Sequence, residues 1–414
     1  MGLPGKGRFV NVLVVNCGSS SIKYSLYAMT DGGERQAVAD GLIERIGEET
    51  STLRHEARGH TIRRDVQAPA HEAAFDLMVR ALTEGDAAAI AGLEAIDAVG
   101  HRVVHGGERF AESTRIDDAV LAAIESFVEL APLHNPPNLT GIRAAMCLMP
   151  DVPHVAVFDT AFHQTLEPHA FLYALPYDLY TERGIRRYGF HGTSHRYVAG
   201  EAVRMLGRRP GEVNLITLHL GNGCSAAAVR GGKSVDTSLG MTPLEGLVMG
   251  TRSGDIDPAI VFHLVRSLGM SVDDVDDLLN RRSGLLGVSG ISNDMREVLR
   301  AAGEGNARAE LALAVFCHRL KKYIGAYTAV LGRVDALVFT GGIGENAAPI
   351  RRRTCEGLAP LGYVLDDDLN EADARGPRDV AAAPSPARIL VVPTDEEAMI
   401  ARDTARIAAA PHDG

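Results

Sequence analysis

Residues 9–29 of the chain read FVNVLVVNCGSSSIKYSLYAM, and this stretch sets the architecture of the first half. The run FVNVLVVN is apolar and rich in β-branched residues, which is typical of a strand. CGSSS then supplies a turn and IKYSLYAM alternates like a second strand, so a hairpin is predicted. The turn brings Gly18, three hydroxyls and Lys23 close together, which suits a bound anion. A polar hairpin turn with a surface lysine explains the turn equally well.

An apolar strand followed by a glycine turn occurs twice more along the chain. Residues 213–229 read VNLITLHLGNGCSAAAV, and residues 335–346 read DALVFTGGIGEN. Helical periodicity lies between the strands, at residues 71–82, 117–130 and 310–331. We therefore predict an α/β protein that is built from two related halves.

Both later glycine turns have alternative interpretations. The Asn-Gly pair at residues 222–223 favours a type I′ hairpin turn that needs no ligand. Residues 342–347 fit the GxGxxA pattern, and Asp366 follows at about the distance that a dinucleotide fingerprint requires. A lone fingerprint of this kind is weak, and a nucleotide site without nicotinamide fits as well.

Composition narrows the functional class. The chain has 414 residues and a formal net charge of −11, which argues against general nucleic-acid binding. No apolar run is long enough for a transmembrane helix, and the five cysteines form no CxxC pair. We therefore expect reduced thiols, a cytoplasmic location and no membrane partner. The 44 glycines exceed average usage and predict backbone that approaches a ligand closely.

Four charged residues stand in unusual surroundings. Arg102 and Arg252 lie in the glycine-flanked segments GHRVVHGG and MGTRSGDIDP, and a guanidinium can clamp phosphate or carboxylate with paired donors. Asp159 and Glu396 follow predicted strands, where carboxylates suit Mg²⁺. Alone, each arginine could be a surface ion pair, and Glu396 could be a helix N-terminal carboxylate, because Thr394 and Glu397 fit a capping box. Together with the glycine turns, these residues favour phosphoryl transfer.

Other catalytic motifs are incomplete. Gly232-Lys233-Ser234 lacks the upstream glycine of a Walker A loop, because Ala227 occupies that position. His191 and His195 lie four residues apart and could share a helix face, but no third zinc ligand is close in the sequence. A zinc site is therefore disfavoured.

Ten segments, in order, resemble the acetokinase family, which belongs to the superfamily of acetate and sugar kinases, actin and chaperone ATPases. They are VLVVNCGSSSIKYSLY, GHRVVHGG, PLHNPPN, VFDTAFH, YGFHGTSH, HLGNGCS, SLGMTPLEGLVMGTRSGDIDP, SGLLGVSGISNDMR, FTGGIGEN and PTDEEA. The resemblance implies duplicated ribonuclease-H-like (actin-like ATPase) domains with ATP in an interdomain cleft. It divides the chain into an N-terminal discontinuous domain, 1–160 plus 395–414, and a C-terminal nucleotide-binding domain, 161–394.

The resemblance also implies the roles of individual residues. The implied catalytic residues are Arg102, Asp159, His191 and Arg252. The implied ATP contacts are Lys23, His219, Leu220, Gly221, Asn222, Gly223, Asp294, Met295, Arg296, Gly342, Ile343, Gly344, Glu345 and Asn346. The implied acetate pocket consists of Arg102, Val104, Leu133, Phe190 and Pro243. The implied Mg²⁺ ligands are Asn16 and Glu396, and Asp395, where the family often has Asn, leaves the choice among 395–397 open.

The implied reaction is the reversible transfer of a phosphoryl group from ATP to acetate, which gives acetyl phosphate and ADP. The implied cofactors are ATP/ADP and Mg²⁺, with Mn²⁺ as a substitute, and the implied assembly is a homodimer. A propionate or butyrate kinase of the same family and a non-catalytic actin-like ATPase are the alternatives.

Overall fold

The computed structural model describes residues 10–30, 35–132 and 134–410. Its strands are β1 Val10–Cys17, β2 Ser21–Met29, β3 Arg35–Glu44, β4 Ser51–Ala57, β5 His60–Val66, β6 Ala98–Val103, β7 Thr114–Arg115, β8 His154–Phe158, β9 Asn214–Leu220, β10 Cys224–Arg230, β11 Lys233–Thr237, β12 Ala336–Thr340, β13 Arg378–Asp379 and β14 Arg388–Val391. Its α-helices are α1 His71–Thr83, α2 Asp118–Ser126, α3 Asn135–Leu148, α4 Pro168–Phe171, α5 Tyr177–Arg183, α6 Gly192–Met205, α7 Ala259–Leu268, α8 Val272–Arg281, α9 Gly284–Ser289, α10 Met295–Gly303, α11 Ala307–Leu331, α12 Gly341–Asn346, α13 Ala348–Cys355, α14 Asp367–Glu371 and α15 Glu396–Ala408.

The chain folds into two compact units. The first runs up to Ala161 and resumes at Asp395, and the second runs from Phe162 to Thr394. Within the described ranges, no helix has the length and apolar character needed to cross a membrane.

The first unit contains an eight-stranded sheet in the order β5-β4-β3-β2-β1-β6-β8-β7. β1 pairs antiparallel with β2, which confirms the predicted hairpin from Val10 onward. β1, β6 and β8 are parallel to one another. Their carboxyl ends therefore lie at one edge of the sheet, where ligands of α/β proteins usually bind.

The second unit repeats this arrangement in a six-stranded sheet with the order β11-β10-β9-β12-β14-β13. β9 and β10 form an antiparallel hairpin, and β12 runs parallel to both β9 and β14. In the first sheet, β1, β2 and β3 form an antiparallel meander, and the parallel strands β6 and β8 extend the sheet beyond β1. In the second sheet, β9, β10 and β11 form the meander, and the parallel strands β12 and β14 extend the sheet beyond β9. This shared topology confirms the α/β class and the predicted duplication of a ribonuclease-H-like fold.

Helix α15 closes the first unit by packing on its sheet. A Cβ added at Gly100 in β6 would lie 2.3 Å from Thr404 Oγ1 and 2.7 Å from Ile400 Cγ2. Only glycine therefore lets the helix approach β6 this closely. Ala398 and Ala401 of the helix share a buried cluster with valines of β1 and β8. This packing places the amino terminus of α15 beside the carboxyl ends of the parallel strands.

Helix boundaries differ from the sequence prediction in three places. The segment 131–139, whose prolines favour a loop, already becomes α3 at Asn135, because prolines fit a first helical turn, where their missing N–H is not needed. Helix α2 ends at Ser126 and not at 130. Residues 341–346, which look like a glycine turn, form the short helix α12 directly after β12. The predicted helices at 71–82 and 310–331 are confirmed.

Candidate active site

Polar residues of the first unit meet where its parallel strands end. Asn16 lies near the end of β1 and pairs in register with Lys23 of β2. Arg102 lies near the end of the neighbouring β6, and Asp159 directly follows β8. Four residues that the sequence predicts as separate site residues are therefore brought to one sheet edge.

Arg102 is held by a two-point contact with Asp159. Its Nε donates to Oδ1 at 3.1 Å and its Nη2 donates to Oδ2 at 2.5 Å. Its Nη1 donates to Asn16 Oδ1 at 3.4 Å. Burial alone would lower the pKa of Arg102, but Asp159 and Glu396 raise it above its ordinary value. The guanidinium is therefore charged and fixed in orientation by a carboxylate that is only 1% exposed.

The three consecutive carboxylates at 395–397 have different roles. Asp395 accepts a hydrogen bond from Arg35 Nη2 at 2.7 Å and from the Tyr27 hydroxyl at 3.2 Å. It also accepts from the backbone N–H of Ala398 at 2.9 Å and so caps α15. Asp395 is therefore engaged in holding the helix end. A helix does begin in this segment, but its cap is Asp395, and the predicted capping box of Thr394 with Glu397 is wrong.

Glu396 and Glu397 face different cations. Glu397 lies 2.5 Å from Lys23 Nζ, whereas Glu396 approaches Arg102 Nε only to 3.9 Å. Burial is the main cause that raises the pKa of Glu396, and the nearby charges of Asp159 and Glu397 add to it. Glu396 is thus the member of the acidic run with the weakest cationic partner.

These oxygen donors fit a magnesium ion. Mg²⁺ typically takes one or two carboxylates and completes its shell with waters and substrate phosphates. Burial, with a smaller contribution from the charges of Asp159 and Glu397, raises the pKa of Glu396, and a bound divalent cation would favour its charged form. The described part of the chain contains no group of three or more His, Cys, Asp or Glu side chains that could enclose a metal. A protein-caged site of the zinc type therefore has no support among these residues.

Two asparagines that sequence reasoning missed brace this edge. Asn138 accepts from the backbone N–H of Val104 at 3.0 Å and donates to the carbonyl of Cys17 at 2.7 Å. Asn135 accepts from the backbone N–H of His105 at 3.2 Å. Both are buried on α3, in the segment PLHNPPN. Their spacing of three residues, which puts both on one helix face, was the available signal.

The second unit contains a cavity of about 510 Å³ at the ends of its central strands. Its lining comprises Gly221, Asn222, Asn293, Asp294, Met295, Arg296, Leu299, Gly342, Ile343, Asn346, Ala347 and Pro349. Eight of these are predicted ATP contacts, and the four that the sequence missed are Asn293, Leu299, Ala347 and Pro349. Asn293 and Ala347 adjoin a predicted segment, Pro349 lies three residues beyond Asn346, and Leu299 lies one helical turn beyond Met295. The mixture of apolar faces and polar edges suits an adenosine group.

The parallel pairing of β9 and β12 creates this cavity. Thr340 is in register with His219, so the turn at 221–223 and helix α12 lie side by side. Gly341 has φ +75°, and a Cβ added there would lie 2.7 Å from the carbonyl oxygen of Leu220. Glu345 accepts from the backbone N–H groups of Gly341 at 3.0 Å and Thr394 at 3.2 Å, and so ties α12 to the end of the sheet. The glycines at this point therefore serve close packing of strand ends as well as ligand access.

Six predicted ATP contacts do not line the cavity. They are Lys23 of the first unit, and His219, Leu220, Gly223, Gly344 and Glu345 of the second. Their predicted contacts with ATP stay predictions. The competing dinucleotide interpretation loses its acidic partner, because Asp366 caps α14 by accepting from the backbone N–H of Leu369 at 3.0 Å.

His191 occupies an unusual backbone position in front of α6. Its φ is +56°, in the left-handed region that residues other than glycine rarely adopt. Its Nδ1 lies 2.8 Å from Ser225 Oγ, and its ring stacks on that of His219 with centroids 4.4 Å apart. His195, one helical turn later, has both ring nitrogens within hydrogen-bond distance of hydroxyl oxygens. The zinc alternative for these histidines has no support in this geometry.

Arg252 is a guanidinium without a carboxylate partner among the described residues. Its Nη1 donates to the carbonyl of Pro243 at 2.8 Å and to Met249 Sδ at 3.6 Å. Burial lowers its pKa. A Cβ added at Gly223 would lie 3.7 Å from Arg252 Nη1 and 3.4 Å from His191 Nε2. The two side chains therefore face the same point beside the glycine turn, which is suited to an anion.

The predicted acetate pocket is divided between the two units. Val104 belongs to the first unit and is 5% exposed, whereas Phe190, which is 2% exposed, and Pro243 belong to the second. Leu133 lies outside the described residues. The pocket as a whole stays a prediction.

Comparison with known proteins identifies the family. The sequence model of the acetokinase family matches residues 11–402. The chain belongs to the acetokinase family. An acetate kinase from Leifsonia xyli is 56% identical over 399 residues, which cover 96% of this chain and 99% of that protein. An acetate kinase from Clostridium novyi is 54% identical over 398 residues, which cover 96% of this chain and 98% of that protein.

Solved structures of family members share the fold. The acetate kinase of Porphyromonas gingivalis superposes with a TM-score of 0.91 at 46% identity, over 96% of this chain and 99% of that one. A propionate kinase from Francisella tularensis superposes with a TM-score of 0.89 at 43% identity, over 96% of this chain and 100% of that one. Members of the acetokinase family use ATP or ADP with small-molecule substrates.

Proposed function

We propose that this chain catalyses the reversible transfer of the γ-phosphoryl group of ATP to acetate, which forms acetyl phosphate and ADP. The observation that carries the proposal is the pair Arg252 and His191, which face one point beside the 221–223 turn and the nucleotide-sized cavity. A guanidinium that has no carboxylate partner among the described residues, placed next to such a cavity, is prepared for a phosphate oxygen. Acetate as the acceptor rests on the acetate kinases that are more than half identical to this chain.

The reaction needs positioning more than proton transfer. Acetate is ionised at neutral pH, because a carboxylic acid has a pKa of about 4 to 5. Its oxygen can attack the γ-phosphorus while the bond to the ADP oxygen breaks, and no general base is required. The protein must hold two anions in line and neutralise the charge that spreads over the transferring group.

The residues of the first unit would hold acetate and the metal. Arg102 offers a fixed, charged guanidinium to the acetate carboxylate, and Asp159 keeps it in orientation. Asn16 and Glu396 would hold Mg²⁺, with Mn²⁺ as a substitute, and the ion would neutralise phosphate charge when bound. Asp159 would orient the metal or its waters, and its contacts with Arg102 support a second duty as the positioning residue of that arginine.

Asp159→Asn tests this duty. The amide leaves Arg102 without its charged partner, so kcat/KM for acetate should fall about 100-fold or more, because charge-assisted hydrogen bonds contribute roughly 1.5–3 kcal/mol each. The Mg²⁺ concentration for half-maximal rate, measured beside it, separates the two duties. An activity close to that of the unmodified enzyme would remove Asp159 from the mechanism.

One assay tests the reaction itself. The protein is incubated with ATP, Mg²⁺ and each of acetate, propionate and butyrate, and acyl phosphate is trapped with hydroxylamine. Acetyl hydroxamate formation that depends on protein and ATP is expected. Absence of hydroxamate with every acid would refute the proposal and leave the non-catalytic ATPase as the alternative.

Propionate kinase activity is the second candidate. The propionate kinase of Francisella tularensis matches this fold almost as well as the acetate kinase of Porphyromonas gingivalis. One methylene changes binding by only about 1–3 kcal/mol, so both acids could be substrates. The ratio of kcat/KM for acetate and propionate in the same assay decides between them.

We also propose that the two compact units are the two predicted domains and that the protein is a homodimer in the cytoplasm. Helix α7 supports the dimer, because none of its residues is buried although most are apolar. Ile260, Phe262 and Leu268 are 42%, 55% and 64% exposed, and a second copy of the chain would cover them. Sedimentation of Phe262→Asp as a monomer, against a dimer for the unmodified chain, is the expected result.

A further inference from the structure

A chain of four side chains leads from the interior of the second unit to His191. Thr217 Oγ1 lies 2.7 Å from His195 Nδ1, His195 Nε2 lies 2.7 Å from Ser225 Oγ, and Ser225 Oγ lies 2.8 Å from His191 Nδ1. Thr217, His195 and Ser225 are each fully buried. The roles that the family resemblance implies for single residues do not by themselves explain why two hydroxyls and a second imidazole lie behind His191.

The fold brings these groups together for a simple reason. Thr217 and His219 project from the same face of β9, because they are two residues apart. Ser225 is in register with His219 on β10, so it lies on that face too. His191 and His195 are one helical turn apart at the start of α6, and both reach Ser225.

The number of protons available determines the direction in which the hydrogen bonds of these four side chains run. Burial is the main cause that lowers the pKa of His195 far below its ordinary value, so its ring is neutral and carries one N–H. Ser225 has one hydroxyl proton and contacts two imidazoles, so it donates to one ring and accepts from the other. Only two arrangements satisfy these conditions, and they differ in which ring Ser225 accepts from.

Thr217 decides between the two arrangements. Among the residues that the structure describes, its hydroxyl has a single hydrogen-bond contact, with His195 Nδ1. If Thr217 donates to Nδ1, then His195 Nε2–H donates to Ser225, and Ser225 donates to His191 Nδ1. In the reverse arrangement His195 Nδ1–H would donate to Thr217, and the Thr217 hydroxyl proton would be buried without an acceptor, which is costly. The forward direction satisfies every donor in the chain.

We infer that Thr217, His195 and Ser225 are positioning residues that hold His191 as the tautomer with a bare Nδ1 and a protonated Nε2. The Nε2–H is then a donor on the side of the ring that faces the 221–223 turn. A Cβ added at Gly223 would lie 3.4 Å from this Nε2, which places the donor beside the turn. The inference deepens the proposed function and rests on it for its kinetic consequences, because a phosphoryl oxygen needs a donor at this point.

The charged and titratable groups around His191 agree with this assignment. The His219 ring stacks on it, and the Arg252 guanidinium faces the same point at Gly223. His195 reaches it through Ser225, and His163, from the preceding segment, donates Nε2–H to the carbonyl of Phe190 at 3.1 Å. An uncharged imidazole donor beside a guanidinium avoids repulsion between two cations.

The experiment reads the tautomer directly. ¹⁵N spectra of the full-length protein with labelled histidine, without nucleotide or acetate, distinguish protonated from bare ring nitrogens, and the His191→Gln spectrum identifies the His191 signals. We expect a bare Nδ1 and a protonated Nε2. In Thr217→Val, which removes only the remote hydroxyl, and in Ser225→Ala, we expect a mixture of tautomers. A protonated Nδ1 in the unmodified protein, or unchanged His191 signals in both variants, would overturn the inference.

Kinetics separate positioning from general stability. Both variants should lose about 10- to 100-fold in kcat, while KM for ATP and for acetate changes less than about 3-fold, because the lost interaction belongs to the transition state. The matched control is Thr237→Val, which removes another fully buried hydroxyl of the same sheet, bonded to the carbonyl of Ala226 at 3.2 Å. It should keep the His191 signals. Equal kinetic losses in Thr237→Val and Thr217→Val would overturn the inference, whereas absence of hydroxamate with the unmodified protein would refute the proposed function and leave the tautomer result standing.

Discussion

Gly223→Ala tests whether the transferring phosphoryl group lies between His191 and Arg252. The added methyl carbon would lie 3.4 Å from both Cε1 and Nε2 of His191 and 3.7 Å from Arg252 Nη1. These are ordinary van der Waals distances, and Gly223 is not among the glycines with positive φ. The substitution should therefore leave folding intact and place a methyl group where the anion must bind.

The expected loss follows from the two donors that the methyl group would screen. A hydrogen bond to a charged group contributes roughly 1.5–3 kcal/mol, so displacing the phosphoryl group from both donors costs about 3–6 kcal/mol. Each 1.4 kcal/mol is about a factor of ten in rate, which predicts that kcat/KM falls about 10²- to 10⁴-fold. The melting temperature should stay within a few degrees.

The assay is hydroxamate formation at saturating ATP and Mg²⁺, with urea unfolding measured beside it. Gly200→Ala on α6 is the control, because no heavy atom lies within 4 Å of the position of its added Cβ. A Gly223→Ala enzyme with unimpaired turnover would refute the placement of the phosphoryl group. A variant that unfolds would show that Gly223 serves packing.

Three further predictions concern other parts of the molecule. Arg252→Ala should lower kcat about 10²- to 10³-fold but change the Kd of ATP less than about 3-fold, and a loss confined to ATP affinity would contradict a transition-state role. Gly100→Ala should lower the free energy of unfolding by about 1–3 kcal/mol in urea titration, because its methyl group overlaps α15, whereas Gly325→Ala, with open space around it, should not. Buried His101 and His154 form a 3.0 Å hydrogen bond, and burial lowers both pKa values, so stability should be full above about pH 6.5 and fall as the pH decreases below it. In His101→Gln this fall should be shallower, and an unchanged slope would contradict the assignment.

The sequence alone determined most of the fold. The alternation of FVNVLVVN and IKYSLYAM and the turn between them are local signals, and the β1–β2 hairpin follows them. The repeated strand-and-glycine pattern likewise predicted two related halves. The order of the strands within each sheet did not follow from these patterns, because pairing between distant strands depends on long-range packing.

The candidate site was predicted in its residue types but not in its contacts. The acidic run at 395–397 offered three equivalent carboxylates in the sequence, and only the fold shows Asp395 bound to Arg35, Glu397 beside Lys23, and Glu396 nearly without a cation. Partners separated by more than 300 residues cannot be read from local spacing.

The same limit applies to the interior of the second unit. The sequence singled out His191 and noted His195 four residues later, because helical spacing is a local property. The hydroxyls of Thr217 and Ser225 gave no signal, since buried serines and threonines are common in strands. Which hydroxyl meets which imidazole depends on the β9–β10 register and on how α6 packs over it, and these are decided by the burial of the whole core. Local sequence thus determined the elements and the chemistry available, and tertiary packing decided which groups meet.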